Sequence, residues 1–231
     1  MNQNNNPPQI IKKFLVYMET IKGKSNRTIN EYYLDLRTFF RFIKKYRNLI
    51  HHDCEFKDIS ISDIDLEFVK SITLSDIYEY LYYIMNERKN VSATRARKVS
   101  TLKSFFKYLT RKVNLLDKNP TEELDSPKIK KSLPHYLSLE QSINLLNNIK
   151  GENKERNYAI ITLFLNCGMR LSELVGINLS DIQDNNLRLL GKGNKERFVY
   201  LNDACISAIN DYLKVRPVDG VTDKDALFLS K

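Results

Sequence analysis

The chain has 231 residues, 42% of them hydrophobic, and a formal net charge of +9. That apolar share supports cores in one or two domains, and seven glycines and six prolines exclude a low-complexity chain. The positive surplus favours an acidic partner, and Cys54, Cys167 and Cys205 lack the spacing of a metal-ligand set.

Residues 1–8, MNQNNNPP, have neither the basic start nor the apolar core of a signal peptide. No apolar run approaches membrane-spanning length, so a cytoplasmic location is expected. Pro7 and Pro8 lead into a helix from Gln9 to about Lys22, with Ile10, Ile11, Phe14, Leu15, Met18 and Ile21 as its stripe. Gly23 ends it. Ser25 can cap a second helix to about Tyr46, in which Ile29, Tyr33, Leu36, Phe40 and Ile43 alternate spacings of four and three. Its first turn, with Ser25, Arg27 and Thr28, suits a phosphate as well as it suits simple capping.

Residues 47–73 are less regular, with room for a short helix over Asp63 to Lys70. Thr73 and Asp76 form a capping pair for a helix from Leu74 to about Arg88, with Tyr78, Leu81, Tyr82 and Met85 as the expected buried side. Ser92 caps the next helix, which runs to about Lys112. Ala96, Val99, Leu102, Phe105, Phe106 and Leu109 face inward; Arg95, Arg97, Lys98, Lys103, Lys107 and Arg111 lie outside that stripe. Charge is concentrated here. Residues 53–80 hold two basic and eight acidic side chains, whereas residues 81–131 hold thirteen basic and five acidic. A concentrated basic region is the footprint of nucleic-acid binding, and this helix is the candidate for a major groove.

Asn119-Pro120 opens an irregular region. The stretch from Asp125 to Pro134 is a basic linker punctuated by proline, which sets the expected boundaries: a helical domain over 1–125, a linker over 126–136 and a second domain over 137–231. Ser138 to Gln141 is a capping box for a helix to about Ile149. Ala159 to Leu165 is apolar at nearly every position, which predicts a buried helix from about Lys154 to Asn166. Gly168 suits a left-handed cap after it. Arg170 follows on this rigid support, and Glu173, three residues on, can orient its guanidinium. Leu187 to Leu190 and Arg197 to Leu201 read as two strands of a hairpin. Its Gly-Lys-Gly-Asn tip brings Lys192, Lys195 and Arg197 to one end. Asn202 and Asp203 cap a helix to about Val215, and Ala226 to Leu229 is a short run of strand type.

The motifs Gly168-Met169-Arg170-Leu171-Ser172-Glu173-Leu174 and Gly191-Lys192-Gly193-Asn194-Lys195-Glu196-Arg197, in this order, resemble the tyrosine recombinase (phage integrase) family, and within it the Xer type. The resemblance extends more weakly from about Ile10 to Leu229. It implies a mainly α fold with a small antiparallel hairpin: an N-terminal SAM-like core-binding domain, then the first part of an α+β catalytic domain. It makes Arg170 the first catalytic arginine, Lys192 the catalytic lysine and Glu173 the supporting carboxylate. It brings the turn with Ser25, Arg27 and Thr28 towards double-stranded DNA, beside the charge-based candidates Arg95, Arg97, Lys98, Lys103 and Lys107 and the hairpin residues Lys195 and Arg197, and it implies partner recombinase subunits in a tetrameric synapse.

The implied activity is site-specific strand cleavage and rejoining through a 3′-phosphotyrosyl intermediate, with no metal and no ATP. The sequence also departs from the family pattern. His51, His52 and His135 all precede Arg170, tryptophan does not occur, and Tyr200 and Tyr212 lack the context of the nucleophile. The H-x-x-R motif and the tyrosine are thus missing from these residues, so the chain by itself is expected to be inactive. A protein that occupies recombination sites without cutting them, and an unrelated helical DNA-binding regulator, remain the alternatives.

Overall fold

The computed structural model describes residues 7–51, 53–129, 133–191, 193 and 195–229. The chain divides into two compact units, Met1–Ser132 and Leu133–Lys231.

The first unit is helical. It contains α1 (Gln9–Thr20), α2 (Asn26–Tyr46), α3 (Leu66–Lys70), α4 (Leu74–Asn86) and α5 (Ser92–Arg111). Ser25 caps α2 by accepting the Thr28 amide, and Thr73 with Asp76 closes a full capping box on α4. Such a cap contributes about 1 kcal/mol. The core is aromatic: Phe14, Phe39, Phe40, Phe105 and Phe106 are fully buried. Phe14 and Phe105 meet edge to face at 5.4 Å, and so do Phe39 and Tyr80 at 5.1 Å. Each ring so buried contributes about 1.5–3 kcal/mol.

Three features of this unit depart from the sequence reading. First, α4 buries Ile77, Tyr80 and Ile84, whereas Tyr78, Tyr82 and Met85 are exposed. Both rows have helical spacing, so the pattern could not choose between them; packing against α2 and α5 chose the row with Tyr80. Second, Val91 rather than Ser92 occupies the cap position of α5, and no side chain caps it. Third, Lys98 is not on the outer face of α5: it is buried, because a carboxylate on α2 draws it in.

The second unit contains α6 (Leu139–Asn147), α7 (Lys154–Cys167), α8 (Leu171–Val175), β1 (Ile182–Gln183), β2 (Asn186–Leu190), β3 (Glu196–Tyr200) and α9 (Asp203–Val215). The strands form one antiparallel sheet in the order β1-β2-β3. Leu187 pairs with Val199 and Leu189 with Arg197, and Leu187 and Leu189 point into the core. The core also takes Leu163, Met169, Leu174, Leu201, Ile209 and Leu227. The apolar run before Gly168 is only partly buried: Ala159 and Leu163 are inside, while Leu165 is 38% exposed. A helix can turn only one face to a one-sided core. Ala226 makes a single bridge with Asn178 rather than a strand. Among the described residues no helix is long and apolar enough to cross a membrane.

Candidate active site and nucleic-acid interface

Gly168 ends α7 with φ 54 and ψ 38. An L side chain is strained in that conformation. The turn hands the chain to Met169, whose side chain is buried, and then to Arg170, the cap residue of α8. Glu173 lies in the first turn of α8 and is 2% exposed. Its Oε2 accepts the Arg170 amide at 2.8 Å, and its Oε1 accepts Arg170 Nη1 at 2.7 Å. Arg197 arrives from β3: its Nη2 donates to Glu173 Oε2 at 2.9 Å and to the Gly168 carbonyl at 3.3 Å. One buried carboxylate thus holds two arginines.

The Arg170 amide, then Arg197, then the Arg170 guanidinium stabilise the charged form of Glu173. They hold its pKa at about 2 although burial pushes the other way. Arg170 is bound through Nη1, and its Nε and Nη2 have no partner among the described residues. Those two donors form the side-on fork of a guanidinium, matched to two oxygens of one phosphate. The Arg170 side chain is 71% exposed, so the fork faces solvent. Two grooves of about 550 Å³ each, one lined by Lys154, Tyr158 and Asp211 and the other by Asp181, Arg188 and Phe198, include neither Arg170 nor Arg197. The arginine pair is an open-surface feature, which suits a phosphate carried by a large polymer.

Gly191, where the chain leaves β2 for the hairpin tip, belongs to the same cluster. The Gly191 amide donates to the Lys195 carbonyl at 2.8 Å, and a Cβ at Gly191 would lie 3.4 Å from Glu173 Oε1. Lys192 follows directly in sequence but lies outside the described residues, as do Asn194 and part of the expected linker, residues 130–132. Lys195 is exposed. The expected role of Arg197 was contact with DNA. Its partners in the structure also make it a tie between the hairpin and the Arg170 turn, a link across twenty-four residues that no sequence motif announces.

Of the N-terminal candidates, Ser25, Arg27 and Lys107 are exposed, and Thr28, Arg95 and Lys103 are half-buried. Arg95 donates to the Asn90 carbonyl at 2.8 Å. Arg97 and Lys98 come together on Asp35, at 2.6 and 2.8 Å. The sequence reading did not single out Asp35. A signal was available: an acid four residues before Phe39 sits within the apolar spacing of α2. No group of acidic, histidine and cysteine side chains among the described residues could hold a metal ion. The two tyrosines are placed differently: Tyr212 is buried and stacks on Phe228 at 5.4 Å, and Tyr200 is 67% exposed. Tyr200 is three residues from Arg197 on β3, hence on the opposite face of the sheet.

Residues 135–231 match the phage integrase family. Tyrosine recombinase XerC of Natranaerobius thermophilus is 34% identical over 215 residues, which cover 85% of this chain and 71% of that protein. The chain belongs to the phage integrase family of tyrosine recombinases. Tyrosine recombinase XerC of Caldanaerobacter subterraneus subsp. tengcongensis is 56% identical over 224 residues, 97% of this chain and 64% of that recombinase. This chain therefore spans less than two thirds of the length of that relative. The fold matches a crystal structure of XerH site-specific recombinase bound to its palindromic difH substrate. The TM-score is 0.62 at 22% identity, over 95% of this chain and 61% of that one. Membership agrees with the geometry: the recombinase motifs around Arg170 and Lys192 are the stretches that meet at Glu173.

Proposed function

We propose that this tyrosine recombinase acts in site-specific DNA recombination, in resolving chromosome or plasmid dimers or in integrating a mobile element. In the reaction a tyrosine oxygen attacks the scissile phosphorus, the bond to the 5′ oxygen breaks, and the protein becomes joined to the 3′ phosphate. Arg170 takes two phosphate oxygens through Nε and Nη2 and stabilises the charge that develops on them. Glu173 positions it, and Lys192 gives its proton to the departing 5′ oxygen. Duplex DNA is the partner, in the cytoplasm, and further recombinase subunits complete the assembly. Residues 1–125 form the core-binding domain, 126–136 the linker and 137–231 the catalytic part. Ser25, Arg27, Thr28, Arg95, Arg97, Lys103, Lys107, Lys195 and Arg197 face the phosphate backbone.

The observation that carries this reading is the free fork of Arg170 held by a buried, ionised Glu173. The test uses a chain that also contains the family's H-x-x-R and tyrosine motifs. Arg170→Ala should abolish strand transfer while sparing most duplex binding, since its work lies in the transition state. Lys192→Ala should slow cleavage, and a substrate with a better 5′ leaving group should restore much of the loss. Equal slowness on both substrates would move the general-acid role to Lys195.

A second reading, occupancy of recombination sites without cutting, rests on the placement of Tyr200 and Tyr212. One lies on the sheet face opposite Arg197 and the other is packed on Phe228. A covalent adduct formed on DNA by residues 1–231 alone would remove that reading.

A further inference from the structure

The first unit repeats the device found at Glu173. Asp35 on α2 has a side chain only 2% exposed, beneath the basic face of α5. Its Oδ1 accepts Lys98 Nζ at 2.8 Å; its Oδ2 accepts Arg97 Nη1 at 2.6 Å and the Thr101 hydroxyl at 3.0 Å. Lys98 is nearly as buried, with 10% of its side chain exposed. A buried carboxylate is costly to hold unless its lone pairs are filled, and here α5 fills them from one turn of helix.

Arg97 differs from Lys98. Its side chain is 44% exposed, and the same Nη1 also pairs with Glu31 Oε2 at 3.0 Å, one turn before Asp35 on α2. Glu31 is half exposed. Nε and Nη2 of Arg97 have no partner among the described residues. The guanidinium is thus fixed at one nitrogen from below, and its side-on fork is left open, as at Arg170.

We propose that Asp35 is a positioning residue for DNA binding: it pins Arg97 Nη1 so that the Nε–Nη2 fork meets a backbone phosphate, and Glu31 is the exposed counter-charge that opposes that contact. This deepens the proposed function and rests on the reading that α5 faces DNA. Fixing the fork removes the rotamer freedom a free arginine would lose on binding. Glu31 adds a like charge beside the incoming phosphate, which weakens non-specific occupancy.

The test measures binding of a fluorescent duplex to the 231-residue chain by anisotropy over a salt series, with circular dichroism as the folding control. Arg97→Ala should weaken binding about tenfold and lower the salt slope by about one phosphate. Arg97→Lys keeps the charge but not the fork, and should lose affinity with the slope unchanged. Asp35→Asn alone strands Lys98, so the paired change Asp35→Asn/Lys98→Met is used to remove both buried charges. In that background Arg97→Ala should cost less than about threefold, because the unpinned fork has already lost its advantage. Glu31→Gln, on the exposed side and harmless to the core, should strengthen binding about twofold to fivefold.

An undiminished Arg97→Ala effect in the paired background would overturn the positioning role, and so would weaker binding by Glu31→Gln. If Arg97→Ala, Lys103→Ala and Lys107→Ala all leave affinity unchanged, α5 does not face DNA and both readings fall. If the lysines matter and Arg97 does not, only this proposal falls.

Discussion

Glu173 and Arg197 meet at 2.9 Å although twenty-four residues separate them. Glu173 belongs to the turn that presents Arg170, and Arg197 belongs to the strand leaving the tip that carries Lys192. One carboxylate oxygen therefore fixes the hairpin relative to Arg170, and both act on one phosphate in the proposed chemistry.

Glu173 makes the stability of the second unit depend on acid. Its folded pKa, about 2, lies below its ordinary value of 4.5. The contribution is therefore fully present above pH 4.5 and is lost as pH falls towards 2. Glu173→Gln should lower the melting temperature at pH 7 and flatten its decline across that window. Parallel curves for the two proteins in a pH series of thermal melts would contradict the assignment.

Gly191→Ala probes the hairpin. The new methyl would stand 3.3 Å from the Lys195 carbonyl and 3.4 Å from Glu173 Oε1. The first contact is tight and lies on backbone, and the second is an ordinary van der Waals contact with a carboxylate oxygen. A loss of about 1 kcal/mol or more in urea unfolding is expected, as for overpacking in general. In a cleavage-competent chain, strand transfer should fall further than stability accounts for, because the shift moves Gly191 against Glu173, which holds Arg170.

Lys103 and Lys107 are one turn apart on α5, half-buried and exposed. Among the described residues neither has an ion-pair partner, unlike Arg97 and Lys98. Changing both to alanine should reduce the slope of log affinity against log salt by about two, roughly one for each phosphate contact. A slope equal to that of the parent chain would take this part of α5 off the DNA.

Tyr80 is the stability test. Its hydroxyl is buried with no hydrogen-bond partner among the described residues, and burial raises its pKa. Its ring packs on Phe39 at 5.1 Å. Tyr80→Phe keeps the ring and removes the unpaired hydroxyl, so stability should stay level or rise by about 1 kcal/mol. A clear loss in denaturant melts would mean that the hydroxyl has a partner in solution.

The sequence by itself determined the local structure. Capping residues marked the starts of α2, α4, α6 and α9, Gly168 marked the end of α7, and the Gly-Lys-Gly-Asn turn between two short runs marked β2 and β3. These signals lie within a few residues of one another, and the backbone hydrogen bonds they satisfy are equally local. The two recombinase motifs were also legible, because each is a short run of chain. Only the tertiary structure decided which face of α4 is buried, since Tyr78-Tyr82-Met85 and Ile77-Tyr80-Ile84 both have helical spacing and the core has room for one. It alone turned Lys98 inward, because Asp35 needs a cation and lies sixty-three residues away. It alone joined Arg197 to Glu173. Pairings of this kind depend on where two elements pack, and no spacing along the chain encodes that.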